Sequence, residues 1–451
     1  MLFDRNTILH PAQPEKYLEA AEEALAYINS RRVSDELGTR FLLKDAQAQK
    51  PYYYDEICVY SGSSGIILFL LSLYDAAGKK EYLYEAEDCG RYLQYRWKEK
   101  RELQKNFSKF AFTTGYVGVS VALLQLYKVT GKETYRETVN DIADAILAEA
   151  KRPEDGIGYS WSTYPGIVGN AGTILYLLKA GKELSRPELT SFAAEAAKWY
   201  LNKAHDYPKG GRYYLGVDPK YFGAGDDYID PNFPMGTAGI GFMFLKVYEA
   251  VGDRTFLNAT DGIKEFIGAA AAVNGDGSAA LLPHALPDRP DVFYLGYCHG
   301  PVGTCRYFDE LYKITGNRED RDWEIRLANG VLAAGAPENH SEGYWYTANL
   351  CCGTAGMVDL FLGLWAETKE VKWLHAARRA SDHLLGWTRD AEKGITWNLA
   401  LDRVSPQAVT APIGLYDGAA GIGWVLLQMY TALTGHFRAL RSIDDPFPEE
   451  A

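Results

Sequence analysis

YSGSSGIILFLLSLYDAAG, residues 60–78, holds a glycine pair, Gly62 and Gly65, followed by an apolar run that stops at a further glycine, Gly78. The run is too apolar for a helix with a wide solvent face, so it reads as a buried inner helix. Gly78 stands where a left-handed helix terminator belongs. The same punctuation recurs at Gly115 and Gly118, Gly166 and Gly169, Gly236 and Gly239, Gly300 and Gly303, Gly353 and Gly356, and Gly418 and Gly421. Seven copies result, with first glycines 51 to 70 residues apart. In six of them the ninth residue after the second glycine is aromatic: Tyr74, Tyr127, Tyr248, Tyr312, Trp365 and Tyr430. The third copy has Leu178 instead.

Ahead of each pair lies a more amphipathic stretch, at 16–30, 82–98, 134–151, 187–204, 255–271, 322–335 and 372–387. In 134–151, Val139, Ile142, Ala143, Ile146 and Leu147 share one helical face while Glu137, Asp141 and Asp144 lie elsewhere. Neither end carries a repeat with a polar outer face, which an open solenoid needs. The expected fold is therefore all-α, a single-domain closed α/α toroid of seven outer–inner helix pairs with the GxxG turns at one mouth. It spans residues 1–436, and 437–451 is expected to be an exposed acidic tail with no core role.

The 451 residues include 47 basic and 59 acidic side chains, a formal charge of −12, which opposes binding to a nucleic-acid backbone. No apolar run approaches the ~18 residues that span a bilayer, and MLFDRNTILHPAQPEKY lacks the basic start and apolar stretch of a signal peptide. The chain reads as a soluble, cytoplasmic protein. Six cysteines are too few for a disulfide scaffold, and clustered thiols in a reducing compartment point to metal or chemistry.

The two residues before the first glycine of each copy form a ring at one height around the opening: Tyr60 and Ser61, Thr113 and Thr114, Tyr164 and Pro165, Pro234 and Met235, Cys298 and His299, Cys351 and Cys352, Tyr416 and Asp417. Cys298, Cys351 and Cys352 sit in adjacent copies five and six. Three sulfur ligands suit Zn2+ and leave the fourth tetrahedral position open, as in catalytic sites. The bland alternative is a set of inert buried thiols or a vicinal disulfide. His299 reads either as a fourth ligand or as a neighbouring acid/base. Cys305, Cys58 and Cys89 read as ordinary small residues.

YCHGPVG (297–303), LCCGTAG (350–356) and the seven GxxG copies together resemble the lanthionine synthetase C-like family, the LanC cyclases and their LanC-like relatives. The resemblance implies an α/α toroid with zinc at its mouth that adds a cysteine thiol to dehydroalanine or dehydrobutyrine in a precursor peptide, forming lanthionine rings. The family's zinc cysteines carry onto Cys298 and Cys351. Many members have His at the next position, where this chain has Cys352, as in a subset of cyclases with three cysteine ligands. The family's histidine just before the fourth glycine pair is Met235 here, and the aspartate usual upstream of the third pair is absent from YSWSTYPG (159–166).

Conjugate addition creates an enolate that an acid must protonate. His299, Asp417 and Tyr416 are the candidates at the mouth. His284 in LLPHALPD and the run Asp226, Asp227 and Asp230 sit in inserted loops and read as solvated residues, the alternative being that they cover the mouth and contact substrate; His10, His205, His340, His375, His383 and His436 show no site spacing. No dehydratase domain fits in this chain, so a separate dehydratase is expected to supply the dehydrated peptide. Competing readings are a LanC-like enzyme that adds glutathione to dehydroamino acids in proteins and a non-catalytic zinc-containing binding protein. A glycosidase-type toroid, suggested by 32 tyrosines and ten tryptophans, needs a carboxylate pair that the ring lacks.

Overall fold

The computed structural model describes residues 11–43, 55–99, 103, 108–216, 228–339, 344–345, 347–400, 407 and 409–451. His10, His340, Asp226 and Asp227 lie outside these residues. Its helices are α1 (Pro14–Asn29), α2 (Ser63–Ala77), α3 (Lys80–Lys98), α4 (Tyr116–Thr130), α5 (Glu133–Ala148), α6 (Asn170–Glu183), α7 (Pro187–Ala197), α8 (Thr237–Val251), α9 (Arg254–Asn258), α10 (Ile263–Ala270), α11 (Pro301–Thr315), α12 (Arg318–Ala333), α13 (Thr354–Thr368), α14 (Val371–Gly386) and α15 (Ala419–Leu433). The inner helices α2, α4, α6, α8, α11, α13 and α15 each pack on the next, and α15 returns to α2, so the ring is closed. Among the described residues, short two-stranded ribbons and one three-stranded sheet decorate the connections.

Sequence pattern decides which helix goes where. Ser63 to Leu71 in α2 are buried on every side. In α5 a stripe of Val139, Ile142, Ala143 and Ile146 is buried, and Glu137, Asp141 and Asp144 face water. Each such fully buried branched side chain contributes about 1.5–3 kcal/mol. The second glycine of a pair lets an inner helix approach the loop beneath it: a Cβ at Gly65 would lie 2.2 Å from Val59 O and 2.7 Å from Leu415 Cβ. The left-handed terminators are present at Gly78, Gly131, Gly252 and Gly316.

Three expectations change. First, each outer helix packs on the inner helix that precedes it in the chain, and α1 packs on α15, so the first and last helices close the ring. Second, the third inner helix starts after Gly169, not Gly166, so its working pair is Gly169 and Gly172. A Cβ at Gly172 would lie 2.1 Å from Ile167 O and 3.2 Å from Phe112 Cβ, the contacts that Gly65 makes in copy one. Val168, whose N–H donates to Pro234 O at 3.2 Å as that of Tyr60 does to Thr113 O, therefore holds the ring position expected for Tyr164. The aromatic register position falls on Gly181, where the Thr190 hydroxyl of α7 leaves 2.4 Å for a Cβ.

Third, residues 437–451 are no loose tail. Phe437, Ala439, Arg441, Ile443, Asp444 and Phe447 are buried. Lys179 Nζ donates to Arg441 O at 3.3 Å and Lys313 Nζ to Pro446 O at 2.7 Å, so the segment is tied to the inner helices α6 and α11.

A buried polar group also lies between α11, α12 and α13. Asp309, Glu324 and Glu367 bring carboxylate oxygens within 4.8 Å of one another. Arg321 Nη1 bonds Glu324 at 2.5 Å, and Lys313 Nζ bonds Asp309 at 2.7 Å. Burial pushes the Glu324 carboxyl from its ordinary 4.5 up to about 8. The folded protein thus keeps a proton that the unfolded chain releases between those values, and stability falls as pH rises through that window. The urea midpoint is expected to be lower at pH 8 than at pH 5, and Glu324→Gln to make that fall shallower.

Candidate metal centre

Backbone bonds between successive copies build the floor of the mouth. Tyr60 N donates to Thr113 O, Tyr416 N to Tyr60 O and Cys351 N to Tyr416 O, each at 2.9 Å. Tyr297 N and Cys298 N both donate to Cys351 O, at 2.8 and 3.1 Å. This collar ties copy five to six, six to seven, seven to one and one to two. It also fixes the ring residues at one height.

The three expected ligands meet there. Cys298, Cys351 and Cys352 place their Sγ atoms within 4.8 Å of one another, with Cys298 Sγ and Cys352 Sγ 3.3 Å apart. All three are free thiols, and Cys298 and Cys351 are buried. Hydrogen bonds from Cys298 first, then from Cys352 and the Tyr60 hydroxyl, hold the Cys351 thiol well below its ordinary value. The same sulfur contacts, together with burial, push Cys298 up. Three converging sulfurs, two from adjacent residues and one across the seam, fit Zn2+ as a three-ligand site.

His299 is not among the clustered ligand atoms. Its Nε2 lies 3.2 Å from Asp230 Oδ2. Asp230 is itself fixed, its Oδ1 accepting from Asn232 N at 2.8 Å and Asn232 Nδ2 at 2.9 Å. The His284 ring stacks on His299 with centroids 4.0 Å apart and planes 13° apart. His284 sits in the sheet made by β1 (Pro283–Ala285), β2 (Arg289–Tyr294) and β3 (Tyr344–Trp345), at the point where the β1–β2 register shifts. Such an irregularity re-aims a side chain. Tyr228 is buried near Asp230 and Cys298, and its phenol is pushed up, chiefly by burial and then by the Asp230 charge.

Of the acid candidates, His299 alone belongs to an imidazole–carboxylate pair. Asp417 Oδ2 accepts from Ser61 Oγ at 2.5 Å, which makes it an anchor of the seam between copies seven and one. Tyr416 is buried and stacks on Tyr60 with centroids 5.5 Å apart, beside Cys351. Met235 packs against Val168, Tyr228 and Ala285, an apolar patch next to the pair. Asp230 and His284 were expected in solvated loops, and both are buried beside His299. Cys58, Cys89 and Cys305 are buried core residues.

A family model described as lanthionine synthetase C-like protein matches residues 106–329 and, overlapping it, 236–438. The fold is similar to that of nisin cyclase, with a TM-score of 0.57 at 13% identity over 85% of this chain and 90% of that one. It is also similar to the Lin0763 protein from Listeria innocua, with a TM-score of 0.50 at 13% identity over 94% of this chain and 99% of the other. Among the described residues no helix is long and apolar enough to cross a membrane. With the toroid, the glycine register and the family match in agreement, the chain belongs to the lanthionine synthetase C-like family.

Proposed function

We propose that this chain catalyses the zinc-dependent addition of a cysteine thiol to dehydroalanine or dehydrobutyrine in a dehydrated precursor peptide, closing a thioether ring. The observation that carries the reading is the convergence of Cys298, Cys351 and Cys352 beside the His299–Asp230 pair. Cys298, Cys351 and Cys352 would hold zinc, and the bound metal would supply stabilisation of the substrate sulfur as thiolate at neutral pH, where a free thiol of pKa about 8.5 stays mostly protonated.

The chain's own residues supply the rest. Tyr60 and the collar hold Cys351 in place, and burial of Cys298 and Cys351 limits the access of competing water. Attack of the substrate thiolate on Cβ moves an electron pair to the enolate, and His299 gives the proton that Cα needs. Asp230 orients the imidazole and offsets its positive charge, the role of a carboxylate behind a catalytic histidine. The proton lost by the thiol replaces the one given to Cα, so ring closure leaves the peptide mass unchanged. The dehydrated residues come from a separate dehydratase.

The test is incubation of the zinc-loaded protein with a cysteine-containing dehydrated peptide, followed by thiol alkylation and mass spectrometry. Loss of alkylatable thiol at unchanged mass is the expected result. An adduct formed only with added glutathione would move the reading to the glutathione-adding relatives. No addition to either would leave a zinc-containing binding protein.

A further inference from the structure

The C-terminal segment is bound beyond its ties to α6 and α11. Arg441 Nη1 bonds Asp359 Oδ1 at 2.8 Å and Asp445 Oδ2 at 3.1 Å. Arg306 Nη2 bonds Asp359 Oδ2 at 2.8 Å and lies 3.6 Å from Asp445 Oδ2. Arg306 belongs to α11 of copy five and Asp359 to α13 of copy six, each in the second turn below the mouth. The tail thus clamps the same seam that Cys298 and the Cys351–Cys352 pair straddle one level above. A cavity of about 30 Å3 between Arg306, Asp359, Tyr416 and Asp444 has room for about one water.

One tail residue, Asp444, reaches the metal level through a hydrogen bond to Tyr297, its carboxylate accepting from the Tyr297 hydroxyl. The Tyr297 ring lies under the Arg306 guanidinium, 5.2 Å from it, and beside the Tyr416 ring at 5.5 Å. Its backbone N–H donates across the seam to Cys351 O. Cys298 is the next residue. Cys351 and Cys352 are fixed to each other by the chain, so the relation that needs outside support is that of Cys298 to the pair. Tyr297 is held at its hydroxyl, its ring and its amide.

We infer that the C-terminal segment is a working part of the metal centre: Asp444, acting through Tyr297, positions Cys298 against Cys351 and Cys352, while Arg441 and Asp445 lock copies five and six beneath them. Asp444 and Tyr297 are positioning residues and touch no substrate. The inference rests on the zinc reading above, and its test separates the two.

Asp444→Asn, Tyr297→Phe and the double variant are compared with wild type in the full-length protein. Arg438→Ala, on the same segment but with an exposed side chain away from the seam, serves as the control. Zinc release to a competing chelator is expected to speed up about tenfold or more in each single variant, in line with the 10–100-fold effects of groups that orient ligands. The cobalt-substituted forms are expected to show a weakened thiolate-to-cobalt absorption band. The double variant is expected to match the singles, because both substitutions cut the same tie. In metal-free, reduced protein, alkylation of Cys298 is expected to quicken relative to Cys58. Wild-type zinc release and alkylation in both single variants, additive effects in the double, or an equal effect of Arg438→Ala would overturn the inference. Wild type that binds neither metal, with Cys298 alkylation still altered in the variants, would leave the positioning role standing and remove the zinc reading.

Discussion

Replacing Cys351 and Cys352 together with alanine is expected to bring zinc from about one per chain to near zero and thiol addition to background, with the fold intact. The loss is expected to be total because two of the three converging sulfurs go, and a lone Cys298 cannot hold a tetrahedral ion against a competing chelator. The fold survives because Cys351 serves the collar through its backbone, its N–H to Tyr416 O and its carbonyl to Tyr297 and Cys298, and alanine keeps all of these. Metal content by elemental analysis, beside a thermal melt and helical circular dichroism, reads the two effects apart. A variant that keeps its zinc would refute the three-cysteine site. A wild-type protein that holds no zinc when freshly purified and reduced would remove the metal mechanism while leaving the toroid as it stands.

His299→Asn is expected to slow thiol addition by about 10²–10⁴-fold, the range for a removed general acid, at unchanged zinc content. Asparagine retains a hydrogen-bonding group near Asp230 but carries no transferable proton. Asp230→Asn is expected to fall in the same direction by less, because it leaves the imidazole in place and removes its counter-charge. The double variant should be no slower than His299→Asn alone, since Asp230 acts through the ring it orients. Rates come from quenched time courses with alkylation of residual thiols. If His299→Asn runs at the wild-type rate, the Cα proton comes from another donor, and the His299–Asp230 pair is part of the scaffold.

The ring register and the cysteine trio were legible because both are periodic signals. A glycine pair, an apolar run and a terminator repeat often enough to align the copies, and alignment alone put Cys298 beside Cys351 and Cys352. The third copy failed for a definite reason. Gly166, Gly169 and Gly172 are three residues apart, so the sequence offers two overlapping pairs, and contact of Gly172 with Phe112 and Ile167 decides between them. Asp230 and His284 were hidden because acidic and imidazole side chains in insertions read as solvated. Their burial follows from partners far off in the chain, Asn232 held by Pro283 O at 3.0 Å and His299 stacked on His284. The tail was misread on composition: its acidic residues pair with Arg306, and its own Arg441 pairs with Asp359, which no local pattern reveals.

The closure of α1 on α15 has a consequence for the order in which the molecule can be assembled. Pro14–Asn29 is made about 400 residues before its partner Ala419–Leu433, and at ~5–20 residues per second that delay is roughly 20–80 s. During it, Tyr17, Ala21, Ala24 and Ile28, which end up fully buried, have no α15 to lie against. The ring can shut only after the last inner helix has emerged. The segment that braces Cys298 follows still later, so the metal seam is the final part of the molecule to reach its working shape.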